Sequence, residues 1–143
     1  MSENTEPLIP FESLAAVVSH EPGIDAIAGS RNSVIAVPEA ARAAVLAGIT
    51  RANGRRPIVI ATPTGTMAQE VADDLAAFLG ESSVELFPAW ETLPFERVSP
   101  AVHTMGARMR TMWRLRNEDE CPTVIVAGTR ALLQKIAPGT TTT

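Results

Sequence analysis

Short apolar runs alternate with helical patterns along this chain, and that alternation restricts the fold more than any other feature. Four runs have strand length: SVIAV at 33–37, PIVIA at 57–61, VELF at 84–87 and TVIVA at 123–127. Each reads as apolar throughout rather than on every second residue, the mark of a strand buried on both faces. Strands alternating with helices then predict a three-layer α/β fold, a mostly parallel sheet flanked by helices.

The helical segments follow from spacing and punctuation. Phe11, Leu14, Val17 and Val18 form one apolar face, ended by the turn residues 19–23, and a second short patch covers 24–28. Pro38 and Glu39 open an Ala-rich helix running to about Ala52, closed by Asn53 and Gly54. Thr66 and Gln69 have capping-box spacing ahead of Met67, Val71, Leu75, Phe78 and Leu79, and Gly80 stands where a C-cap belongs. Ser99 and Pro100 start another helix, whose stripe of Val102, Met105, Met109, Met112 and Trp113 is expected to pack into the core. Thr129 begins a last helix through Ile136. Residues 1–10 read as a loose tail, 11–138 as one incomplete α/β domain, and 139–143 as a linker, the threonine ending suggesting that a longer protein continues.

Bulk properties narrow the function. At 143 residues with 45% hydrophobic content, the chain suits one globular domain. No apolar run can span a bilayer, and the acidic first ten residues are unlike a signal peptide, so a cytoplasmic location without membrane contact is expected. One cysteine, Cys121, allows neither an internal disulfide nor a cysteine metal cluster. The net charge of −4 argues against a free-standing nucleic-acid binder.

Ligands of α/β sheets bind beyond the carboxyl ends of strands. The first such junction is Pro38, Glu39, Ala40, Ala41, Arg42 and Ala43. A phosphate loop needs glycines, a lysine and a Ser/Thr hydroxyl for Mg²⁺. This junction has none of them, and Glu39 would repel a phosphate. The second junction, residues 62–66, offers a glycine, hydroxyls and a helix start; it reads first as a turn and cap, second as an anion site.

No catalytic set, metal site or cofactor site follows from the spacing of the remaining polar residues. Glu85, Glu91 and Glu96 read as surface carboxylates. Arg97, Arg108, Arg110, Arg114 and Arg116 read either as a solvated helix face paired with Glu118–Glu120 or as a contact for nucleic acid or an acidic protein. Trp90 and Phe95, beside Pro88 and Pro94, either fold beneath their loop or are held for a partner.

The run FPAWETLPFERVSP at 87–100, followed by a helix with Arg108 and Arg110 and by TRALLQ at 129–134, resembles the N-terminal region of bacterial transcription-repair coupling factors. The similarity extends more weakly back to residue 30. It implies a domain like the first domain of the excision-repair protein UvrB, related to helicase and P-loop NTPase motors, with its nucleotide loop degenerate at 38–43. It further implies a parent protein that uses ATP to translocate on DNA and displace stalled RNA polymerase. The following domain would recruit UvrA, and later domains would bind polymerase and DNA. This chain would be its non-catalytic scaffold, with Trp90, Glu91, Phe95, Glu96, Arg97, Arg108, Arg110 and Arg114 as possible contacts. Two alternatives remain: a weak nucleotide-binding half of an ATPase, or a DNA-contacting module built on the 108–116 helix.

Overall fold

The computed structural model describes residues 10–90 and 102–134. Within them, three parallel strands, β1 (Ile58–Thr62), β2 (Val84–Phe87) and β3 (Val124–Gly128), form a sheet ordered β1-β3-β2. β3 is the central strand and all five of its residues are buried. The α/β class is therefore as expected, with one strand fewer. Residues 33–37 are not in the sheet: Val34 is 98% exposed and Ile35 42%. An apolar run supplies side chains to bury but not a ladder partner, and no described strand pairs with this one.

Six helices occur among the described residues: α1 (Phe11–Ser19), α2 (Pro22–Gly29), α3 (Arg42–Asn53), α4 (Gly65–Leu79), α5 (Val102–Arg114) and α6 (Thr129–Leu133). Register fixes the two faces. Ile58, Val124 and Val84 align, as do Ile60, Val126 and Leu86, and these face α4. There Val124 and Val126 join Ala68, Val71, Ala72 and Leu75 of α4, Ala15 of α1 and Ala47 of α3 in the main core. On the opposite face Phe87, Ile125 and Ala127 meet Ala131 of α6 in a smaller cluster. β1 leads through α4 to β2, and β2 through α5 back to β3, so the two connections run in opposite directions across the sheet. Right-handed crossovers that reverse direction put their helices on opposite faces.

Local chemistry sets the element ends. Gly54 adopts φ 66° after α3, a conformation that strains residues with a Cβ. The cap of α4 lies two residues earlier than expected: the Thr64 hydroxyl accepts the Met67 N–H at 3.1 Å, so Thr66 falls inside the helix. Gln69 turns to Asp73 instead, donating at 2.8 Å. Gly80 closes α4 as expected. No helix among the described residues is long and apolar enough to cross a membrane.

Candidate interaction site at the carboxyl edge of the sheet

α5 reverses the burial its sequence suggests. Of its expected stripe, Val102, Met105, Met109 and Trp113 are exposed, Met109 at 65%, and Met112 is half-buried, while Thr104, Arg108 and Thr111 are buried. The cause lies in β2. Glu85 points to the same face as Phe87, two residues on, and is 3% exposed, not a surface carboxylate. Burying a carboxylate requires cationic partners. Arg114 donates to Glu85 Oε2 and Arg110 to Oε1, the latter at 2.8 Å. The remaining donors of Arg114 reach the carbonyls of Ser82 and Glu120. The acidic partner of these arginines is thus Glu85 rather than the side chains of Glu118–Glu120.

Arg108 is held more deeply. Its guanidinium donates to the Pro88 carbonyl at 2.7 Å and lies 4.1 Å from the Phe87 ring centroid and 4.8 Å from that of Trp90. Both contacts favour a planar cation. Burial lowers the Arg108 pKa from its usual value. Trp90, half-buried, is also fixed through its main chain: its N–H donates to Gln134 Oε1 at 2.6 Å and its carbonyl accepts from Gln134 Nε2 at 3.2 Å. Beside these groups a cleft of about 340 Å³ is lined by Gly65, Gln69, Phe87, Pro88, Arg130 and Ala131, among others. Glu91, Phe95, Glu96 and Arg97 lie outside the described residues.

The other two junctions are now explicit. Residues 39–41 form a short 3₁₀ turn ahead of α3, with no strand leading into it. Arg42 pairs with Glu39 at 3.7 Å. The cleft there measures only about 60 Å³ and, among the described residues, is lined by Glu39, Glu70 and Asp74 against the single cation Arg42. Pro38, Ala40, Ala41 and Ala43 add no hydrogen-bonding side chain. At 62–66 the Thr62 hydroxyl donates to the Thr64 carbonyl at 2.8 Å, and Thr64 caps α4. Gly128 presses on this turn so closely that a Cβ on it would lie 3.0 Å from Gly65 N. These hydroxyls serve the turn and cap. Among the described residues no group of three His, Cys, Asp or Glu side chains could hold a metal.

Three relationships escaped the sequence: the burial of Glu85, the Gln134–Trp90 pairing, and the packing of Arg108 on two aromatic rings. A usable signal for the first was the spacing of Arg110 and Arg114, four apart on one face. Two segments separated by some forty residues, 87–90 and 129–134, meet here, and each belongs to a run that shows the family resemblance.

Comparison with known proteins agrees. The transcription-repair-coupling factors of Mycobacterium bovis (strain ATCC BAA-935 / AF2122/97) and Mycobacterium tuberculosis (strain CDC 1551 / Oshkosh) are each 37% identical to it over 106 residues, 71% of this chain. The chain is related to the transcription-repair coupling factors. It spans 8% of the length of these relatives. No family model matches the chain.

Proposed function

We propose that this chain is a non-catalytic N-terminal scaffold within a transcription-repair coupling factor, resembling the first domain of UvrB. Its parent would use ATP to translocate on DNA, displace stalled RNA polymerase and recruit UvrA for excision repair through a following domain. Scaffolding, in this reading, means holding the 87–90 segment rigidly against α5 and α6 while the chemistry resides elsewhere.

One observation carries the reading: at 38–43, where the resemblance implies a degenerate nucleotide loop, the described residues place three carboxylates and one paired arginine around about 60 Å³. A triphosphate there would meet net negative charge with no lysine, glycine-rich backbone or hydroxyl to offset it. The outward-facing Val34 and the 54% exposed Val59 of edge strand β1 support a domain that is completed by other parts of a longer protein.

Titrating the chain with a fluorescent ATP analogue and Mg²⁺ tests the proposal. No saturable signal is expected. Micromolar binding would overturn the scaffold reading in favour of an ATPase half-site.

A further inference from the structure

The opposite end of the sheet carries a feature of a different kind. A cleft of about 360 Å³ at the amino ends of the strands is lined by Thr50, Arg51, Gly54, Arg55, Arg56, Leu79, Ser83 and Thr123. Among the described residues it holds three arginines and no carboxylate, in a chain with 16 acidic and 12 basic residues. Arg55 also lines the adjoining cleft of about 600 Å³, where Arg31 lies, with Asp25 as its one carboxylate among the described residues. All four arginine side chains are exposed, and none has an ion pair or side-chain hydrogen bond among the described residues. Arg42, Arg108, Arg110 and Arg114, by contrast, are all engaged.

Helix-end electrostatics accounts for Arg51, which lies in the last turn of α3. It does not account for Arg55 and Arg56, which follow the helix. Three guanidinium groups around one cleft repel each other unless an anion joins them, and their planar forks match phosphate oxygens. The charge extends through Arg55 into a second cleft, a longer run than a single phosphate requires.

We propose that Arg51, Arg55 and Arg56, continued by Arg31, form a docking surface for the phosphodiester backbone of DNA. It is a sequence-independent contact that positions rather than reads. The negative net charge of the chain keeps it weak and local. This inference goes beyond the scaffold reading and does not rest on it, since nucleotide binding at 38–43 would leave it untouched.

The test is fluorescence polarisation of a short dye-labelled duplex against the 143-residue chain across a salt series. About three phosphate contacts give a slope of log affinity against log salt near −2.7, hence about 40-fold weaker binding at 200 mM than at 50 mM. Arg55→Gln and Arg56→Gln should each flatten the slope by about 0.9, and the triple variant Arg51→Gln/Arg55→Gln/Arg56→Gln should abolish binding. Arg116→Gln, an exposed arginine outside the patch, should change neither. Circular dichroism confirms that each variant is folded; the single substitutions decide the matter should the triple variant unfold. Absence of saturable DNA binding at low salt, or an unchanged slope in both single variants, overturns the proposal. So does a polyglutamate peptide that binds as tightly with the same arginine dependence, or inorganic phosphate that binds while DNA fails to displace it.

Discussion

Gln134 holds Trp90 by its main chain, its side-chain amide pairing with both the N–H and the carbonyl of that residue. The glutamine acts as one peptide unit of a missing neighbouring strand. It joins the end of α6 to the segment that leaves β2. Replacing it with alanine removes both bonds from half-buried backbone groups, and a loss of about 1–2 kcal/mol is expected in urea unfolding. Gln134→Glu turns a charged acceptor toward the Trp90 carbonyl, so its loss should be at least that of alanine.

Arg108→Met retains an apolar stem of similar reach but leaves the Pro88 carbonyl unpaired and removes the cation from two rings. A loss of about 2–3 kcal/mol is expected by the same measurement. Arg108→Lys should recover only part of it, because an ammonium cannot stack on Phe87 while also meeting Pro88 as a planar fork does.

The two arginines on Glu85 should differ. Arg114 is 15% exposed and Arg110 65%. Removing Arg114 strips a buried carboxylate of its better-shielded partner, for a loss of about 3 kcal/mol. Arg110→Ala removes a pair open to solvent, and about 1 kcal/mol or less is expected. Equal losses would contradict the assigned geometry.

Close backbone approach predicts a ranking of two glycine substitutions. A Cβ on Gly48 would lie 2.6 Å from Val18 Cγ1, so Gly48→Ala should cost about 1–2 kcal/mol net of its helix-propensity gain. On Gly128 the obstruction is backbone, at Gly65 N and Thr64 C, which cannot rotate aside. Gly128→Ala should therefore lower the thermal midpoint further than Gly48→Ala.

Met109→Gln tests the reversed orientation of α5. A core methionine replaced by a polar residue would cost several kcal/mol, whereas a 65% exposed one should change stability by about 0.5 kcal/mol or less. Chemical denaturation of the single variant separates the two.

Much of the architecture was legible in residue order. The runs at 57–61, 84–87 and 123–127 became the three strands, and Asn53, Gly54 and Gly80 ended helices where their backbone chemistry places them. The α4 periodicity matches the observed helix, and its cap lies two residues earlier than the spacing suggests because Thr64 and Thr66 offer the same hydroxyl. The run at 33–37 had strand composition, yet pairing depends on a neighbour that composition does not specify. On α5, periodicity grouped Val102, Met105, Met109, Met112 and Trp113 on one side without saying which side faces inward, and only Met112 of the five is half-buried.

Local chemistry, then, determined on its own where elements begin and end and which side chains share a face, because turns, caps and repeat spacing act over a few residues. Which face is buried was decided by what lies opposite it. Glu85, inward-facing on β2, drew Arg110 and Arg114 toward the sheet, and Phe87 with Pro88 captured Arg108, leaving Met105 and Met109 outside. Such choices depend on charges and rings brought together from some twenty to thirty residues away, and they exist only once the chain has folded.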